Sequence, residues 1–341
     1  MARTQSALST SEQSARGSVR VHIQNPPTTP NALTLAPSKL MEALAARDLA
    51  RKVIVSVDDG GDELPKEFSA EVLVTLPKVD LAKAHKANPN LRWVQTTFAG
   101  VEGMVDKLPR GLRVTNASGV HAEKGGEFIL TAALMLTHEV PRYVTDQANK
   151  EWKPLFGPVL KTHRITILGV GAIGASGAQH LKQLGCKVTG VTRSGRARIK
   201  LDRIATLAEL DEVLAQTDIL VSTLPDTPQS QGLIDRRRVD LLPDGAGIVV
   251  VGRAAPLDYE AIMDRLDAGT LRGALLDVFP EEPIPSRNRA WKTPRLIITP
   301  HCSVDDHTTY IDRCIEIFVD NLQRYLSGRK LLNLVDPKQG Y

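Results

Sequence analysis

The chain has 341 residues, 42% hydrophobic and 24% charged, which is the composition of a soluble globular protein and the length of two domains that each bury a core. Its 43 basic and 39 acidic residues leave a net charge of only +4, scattered rather than gathered into a stripe, which argues against nucleic acid as a partner. No apolar run approaches a membrane span, and the three cysteines, Cys186, Cys302 and Cys314, form neither a disulfide framework nor a zinc site, so a reducing cytoplasm is expected.

Residues 1–17, rich in Ser, Thr, Ala and Gln and without an apolar block, read as a disordered tail rather than a secretory signal. Arg3 and Arg16 suggest an organelle presequence only faintly, since Glu12 and the missing apolar face oppose it. Val19, Val21 and Ile23 then alternate with polar residues up to Pro26-Pro27, the pattern of a half-buried strand. A helix is predicted over Ser38–Leu49 with Ser38 as its cap. Strands follow at Val53–Val57 and Val72–Leu76, separated by Asp58-Asp59-Gly60-Gly61 and Pro65. A helical piece at Leu81–Ala87 precedes a strand at Leu91–Thr97, which ends in Phe98-Ala99-Gly100-Val101. This alternation predicts an α/β domain with a mainly parallel sheet. Ligands of such sheets lie beyond the carboxyl ends of the strands, so Ala99-Gly100 can offer backbone N–H groups to an anion; a glycine needed only for a turn is the alternative.

Glu127–Val140 is almost continuously apolar until Pro141 and reads as a buried helix leading to the second domain. Such a helix must be covered, either between the domains or by a second copy of the chain. After a polar connection through Trp152 and Pro154 comes Ile165 to Gly174, in which a short apolar run feeds Gly169-x-Gly171-x-x-Gly174. A helix to about Leu184 and a strand at Lys187–Thr192 complete a strand-helix-strand unit of dinucleotide-binding size. The first glycine permits a tight turn, the second lets backbone approach a pyrophosphate, and the third lets the helix pack on the strand; Ala172 and Ile173 complete the turn. The helix N-terminus supplies N–H donors to phosphate. A tight turn in some other α/β domain gives the same pattern.

An NAD site places a carboxylate about twenty residues beyond the glycines, on the ribose hydroxyls. That place reads Val191-Thr192-Arg193-Ser194-Gly195, with no carboxylate. Arg193 can fork onto a 2′-phosphate, Thr192 and Ser194 can add hydroxyl donors, and Arg196 and Arg198 raise the local potential, so NADP is favoured with NAD possible. Further apolar runs at Ile219–Leu224, Ile248–Val251, Ala274–Leu276 and Leu296–Thr299 bring the predicted strands of this domain to six. Tyr310–Leu326 has helical spacing, stops at Gly328 and is expected to return to the first domain.

Three residues near the ends of the last strands can do chemistry: Arg253 after Val251, Glu282 in Asp277-Val278-Phe279-Pro280-Glu281-Glu282-Pro283, and His301 in Thr299-Pro300-His301. An arginine grips a carboxylate with a bidentate fork, and a histidine beside a carboxylate can exchange a proton with a substrate oxygen near neutral pH. Singly, each has a bland reading as a surface cation, a solvated acid or a turn residue.

Together with Val94–Val101, Asn116–Val120, Gly169–Gly174, Leu224-Pro225-Asp226-Thr227-Pro228, Gly252-Arg253, Ala274–Phe279 and Pro300-His301, these residues resemble the D-isomer-specific 2-hydroxyacid dehydrogenases in order and spacing from about Val19 onward. The resemblance implies two doubly wound parallel-sheet α/β domains, a Rossmann dinucleotide-binding domain (122–306) inserted in a flavodoxin-like substrate domain (18–121 and 307–341). It implies that Arg253 binds the substrate carboxylate and carbonyl, that His301 is the acid/base, that Glu282 sustains its protonation, and that Ala99 and Gly100 hold the carboxylate by backbone N–H. Asp277 would orient the nicotinamide amide, with Leu224, Pro225, Val251, Gly252 and His301 also beside the cofactor, and the molecule would be a homodimer. Val250, Ala254, Cys302-Ser303-Val304 and Lys124-Gly125-Gly126 depart from the usual family pattern without removing a catalytic group. The function expected is NADPH-dependent reduction of a small 2-oxo acid, of the glyoxylate or hydroxypyruvate type, to the D-2-hydroxy acid. The alternatives are a corepressor-like cofactor sensor and, more distantly, a methyl transferase, which would leave His301 and Glu282 unexplained.

Overall fold

The computed structural model describes residues 18–25, 33–59, 63–65, 68–76, 79–101, 104 and 107–337. The expected tail at 1–17, the break at Pro26-Pro27 and the Gly60-Gly61 part of the turn lie outside the described residues. The chain divides into two compact units, Met1–Val120 with His307–Tyr341, and His121–Asp306. Among the described residues no helix is long and apolar enough to cross a membrane.

The first unit is built on β1 (Val19–Gln24), β2 (Val53–Asp58), β3 (Val72–Thr75), β4 (Trp93–Thr96) and β5 (Arg113–Thr115). They pair in the order β2-β1-β3-β4-β5, all parallel, which is the flavodoxin-like order. The expected half-buried β1 is instead buried at five of its six positions, because it has a strand on either side. Two of its alternating polar residues, His22 and Gln24, are satisfied inside: His22 Nδ1 lies 2.9 Å from Ser56 Oγ and Nε2 3.1 Å from Gln24 Oε1.

Helix α1 (Pro37–Ala45) begins one residue before the expected cap, with Pro37 in its first turn and no side-chain cap; α2 is Leu81–Ala87. The C-terminal helix, Tyr310–Leu326, packs Ile311, Cys314, Ile315, Phe318, Val319 and Leu322 into this unit's core, with Phe318 stacked 5.3 Å from Trp93. It ends where Gly328 takes φ +66°.

The second unit holds β6 (Arg164–Leu168), β7 (Lys187–Val191), β8 (Arg203–Ala205), β9 (Ile219–Ser222), β10 (Ala246–Val250), β11 (Leu271–Leu276) and β12 (Leu296–Ile298). Their order, β12-β11-β10-β9-β6-β7-β8, is all parallel: the doubly wound dinucleotide arrangement with one further edge strand. The sheet therefore has seven strands rather than six. The missed β8 is three residues long and opens on Arg203, so it lacks the continuous apolar run that marks the equally short β12.

The apolar helix is α3 (Ala122–Thr137), and Pro141 does not close it but opens α4 (Val140–Ala148) from the first turn. Ile129, Ala132, Ala133 and Leu136 are fully buried in this unit's own core, so α3 needs neither a second domain nor a second copy to cover that face. Close packing on α5 (Ala172–Gln183) explains the unusual Gly125-Gly126: a Cβ on Gly126 would overlap Ser176 Oγ, and one on Gly125 would sit 2.8 Å from Ile173.

Candidate active site

Strands β6 and β9 are neighbours although far apart in sequence, and between them the strand order reverses. Ligands of doubly wound sheets bind at such a switch point, beyond the carboxyl ends of the strands. The glycine turn lies there. Gly169 has φ +84°, and Thr223 Oγ1 donates to the carbonyls of Leu168 (3.2 Å) and Gly169 (2.6 Å), fixing the turn from the end of β9. A Cβ on Gly174 would overlap the Gly169 carbonyl, whereas one on Gly171 would meet nothing within 4 Å, leaving open space over bare backbone. Helix α5 starts at Ala172 without a side-chain cap on its N–H groups. This cradle fits a pyrophosphate held by backbone. Gly174→Ala is expected to cost about 1–3 kcal/mol of stability through the clash and to weaken dinucleotide binding; thermal unfolding and a fluorescence titration with NADPH measure the two effects.

Where β7 ends, Val191 is buried, Thr192 Oγ1 accepts the Arg196 N–H at 3.1 Å, and Arg193 and Ser194 are exposed. No carboxylate occurs from residue 191 to 198. Leu224 and Pro225 follow β9, and Val251 and Gly252 follow β10. Val251 is only 3% exposed, so a cofactor can meet its backbone but hardly its side chain. A Cβ on Gly252 would overlap the Leu224 carbonyl, which also accepts the Arg253 N–H at 3.0 Å; the two crossing segments require glycine here.

Arg253, Glu282 and His301, far apart in sequence, line one cavity of about 380 Å³. His301 has φ +49°, a conformation that costs a non-glycine residue energy and recurs at functional sites. Its N–H is held by the carbonyls of Asp277 (2.8 Å) and Thr299 (3.0 Å). His301 Nδ1 lies 2.7 Å from Glu282 Oε2, while Glu282 Oε1 accepts the Phe279 N–H at 2.7 Å. Burial pushes the Glu282 carboxyl up, but the His301 and Phe279 hydrogen bonds and the charges of His301 and Arg253 outweigh it and hold its pKa below the ordinary value. An ionised carboxylate on Nδ1 leaves Nε2 as the imidazole atom that can pass a proton.

Asp277, 1% exposed at the end of β11, accepts on Oδ1 from Thr299 Oγ1 (2.6 Å) and from the N–H groups of Cys302 (3.2 Å) and Ser303 (3.1 Å). Its Oδ2 is buried with no hydrogen-bond partner among the described residues, and an acceptor so placed can receive an amide donor. The unusual Cys302-Ser303 pair thus serves Asp277 through backbone, which any residue supplies. Burial pushes the Cys302 thiol pKa up, so the thiol stays protonated. Val250 and Ala254 are buried packing residues.

Ala99 and Gly100 belong to the first unit, beyond β4, and among the described residues neither N–H has a hydrogen-bond partner. The cavity also takes in Asp226, Ala254, Ala255, Val278, Phe279 and Pro280, which were not among the site residues expected. For Asp226 the signal was present in Leu224-Pro225-Asp226-Thr227-Pro228; the others are ordinary apolar residues that only the fold gathers.

A doubly wound dinucleotide fold with a His-Glu pair and an arginine in one cavity defines a nicotinamide-dependent oxidoreductase. Residues 130–303 match the family model described as D-isomer specific 2-hydroxyacid dehydrogenase, NAD binding domain. Glyoxylate/hydroxypyruvate reductase A of Salmonella typhi is 29% identical over 289 residues, covering 82% of this chain and 89% of the relative. A D-isomer-specific 2-hydroxyacid dehydrogenase family protein of Aeromonas salmonicida has a solved structure that is 31% identical, with TM-score 0.74, over 94% of this chain and all of that one. The Xanthobacter autotrophicus D-isomer-specific 2-hydroxyacid dehydrogenase, solved with NADPH and MES, is 26% identical, with TM-score 0.78, over 95% of this chain and all of that one. The chain belongs to the D-isomer-specific 2-hydroxyacid dehydrogenase family and is an NAD(P)-dependent enzyme of that class.

Proposed function

We propose that this enzyme reduces a small 2-oxo acid of the glyoxylate or hydroxypyruvate type to the D-2-hydroxy acid with NADPH. The observation that carries the reading is the His301–Glu282 pair in one cavity with Arg253. The Salmonella relative's name and the NADPH in the Xanthobacter protein support the substrate and cofactor. Bound NADPH supplies the hydride. The Gly169–Gly174 turn holds the pyrophosphate, Thr192, Arg193 and Ser194 the 2′-phosphate, and Asp277 Oδ2 the nicotinamide amide. Arg253 grips the substrate carboxylate and polarises the carbonyl, and His301 Nε2 gives its proton to the developing alkoxide; the Ala99 and Gly100 N–H groups of the first unit are proposed to bind carboxylate. A steady-state assay of NADPH oxidation with glyoxylate, hydroxypyruvate, pyruvate and 2-oxoglutarate tests the reading: the first two are expected to give the highest kcat/KM. NADPH binding without oxidation across the panel would instead favour a cofactor sensor.

The enzyme is proposed to act as a homodimer through its second unit. Trp152 and Phe156 are each 95% exposed, and Tyr143, Val144, Leu155 and Val159 continue the apolar surface. The Tyr143 hydroxyl both receives from the Leu155 N–H and donates to its carbonyl (3.1 Å each), docking this segment on α4. An ordered apolar ridge of this kind marks a protein interface, and a fully buried aromatic side chain is worth about 1.5–3 kcal/mol. Light scattering at micromolar concentration is expected to give a dimer, with Trp152→Ala/Phe156→Ala shifting it toward monomer; a monomeric wild type would reject the assembly. The free cysteines Cys186, Cys302 and Cys314 suit a reducing cytoplasm.

A further inference from the structure

We propose that Asn116, at the end of β5, is a positioning residue that turns the Gly100 N–H outward to receive the substrate carboxylate; this rests on the reading that Ala99-Gly100 binds that group. In a planar trans peptide the C=O of one residue and the N–H of the next point in opposite directions, so anchoring a carbonyl aims the following N–H. The Phe98 carbonyl accepts from the Ala117 N–H (2.8 Å) and Thr96 Oγ1 (2.9 Å), which aims the Ala99 N–H. The Ala99 carbonyl accepts from Asn116 Nδ2 at 2.7 Å, which aims the Gly100 N–H.

Asn116 is itself fixed. It is only 6% exposed, its Oδ1 accepts the Ser118 N–H at 3.1 Å, and its own N–H donates to the Asn333 carbonyl at 3.1 Å. One side-chain amide thus sets the second N–H of the anion cradle. An internal comparison lies one peptide away: the Tyr310 hydroxyl donates to the Thr97 carbonyl at 2.8 Å, in the peptide that carries the Phe98 N–H, which is not part of the cradle.

Two substitutions separate positioning from stability. Asn116→Ser keeps a side-chain oxygen for the Ser118 N–H but is too short to reach Ala99, and Tyr310→Phe removes a buried bond of similar length that aims no cradle donor. Asn116→Ser is expected to raise KM for glyoxylate about tenfold, with kcat within about threefold and KM for NADPH unchanged, the signature of lost binding to a ligand group outside the chemical step. Tyr310→Phe is expected to lower the Tm and leave KM for glyoxylate unchanged. Asn116→Ala serves as a second variant with the same expectation. An unchanged glyoxylate KM in folded Asn116 variants, or an equal rise in Tyr310→Phe, would overturn the proposal. A wild type that oxidises no NADPH with glyoxylate would overturn the functional reading beneath it, and the two failures are distinguishable.

Discussion

His301→Ala is expected to lower kcat for 2-oxo acid reduction by about 10²–10⁴-fold while NADPH affinity stays within a few-fold, because a positioned acid/base contributes that much to proton transfer and little to cofactor binding. Glu282 holds its Nδ1 at 2.7 Å, which leaves Nε2 as the imidazole atom that can pass a proton. A companion variant, Glu282→Gln, replaces the carboxylate that holds Nδ1 and fixes the ring, so kcat is expected to fall while NADPH affinity stays within a few-fold. The sign of the stability change on the acid side follows from the lowered carboxyl pKa of Glu282. A group depressed on folding adds stability that is fully present above its unfolded pKa and is lost as pH falls through its folded pKa. The stability that the ionised Glu282 contributes is therefore present at neutral pH and is lost in acid, below the ordinary glutamate value. Wild-type turnover in His301→Ala with every accepted substrate would remove the assignment; kcat with glyoxylate and NADPH titration on one preparation provide the check.

Arg193→Ala is expected to weaken NADPH binding about ten- to a hundredfold and to spare NADH. A charge-assisted hydrogen bond is worth roughly 1.5–3 kcal/mol, and only the 2′-phosphate distinguishes the two cofactors. Arg193 and Ser194 are exposed just beyond β7, and the Thr192 hydroxyl accepts the Arg196 N–H within the turn. On the proposed reading the guanidinium is the main discriminating group, with Ser194 as its helper. A wild type that uses NADH better than NADPH, or an alanine variant with unchanged NADPH affinity, would reject the assignment.

What the sequence made legible follows the physics of each segment. The C-terminal helix could be bounded to the residue because its apolar spacing is regular and Gly328 supplies the left-handed stop. Arg253, Glu282 and His301 stood out because each follows a strand run at the edge where doubly wound sheets bind ligands. Strands β5 and β8 were missed because each is three residues long and opens on an arginine, without the continuous apolar run that marks the equally short β12. The burial of β1 was underestimated because His22 and Gln24 look like solvent-facing residues, although they bond to Ser56 and to each other inside the sheet. The cover of α3 was misassigned for a related reason: apolarity shows that a helix is covered, but the small residues that let α5 approach, Gly126 and Gly177, act only in three dimensions. Asn116 gave no chemical signal at all, since a buried amide that aims a backbone N–H resembles any turn asparagine until its partners are known.

The proposed reduction of a small 2-oxo acid to its D-2-hydroxy acid with NADPH is tested most directly by the stereochemistry of the product. Hydroxypyruvate incubated with the wild-type enzyme and NADPH, then resolved by chiral chromatography, is expected to yield D-glycerate, one molecule for each NADPH oxidised. Recovery of the L isomer, or of unchanged hydroxypyruvate from enzyme that binds NADPH, would contradict it.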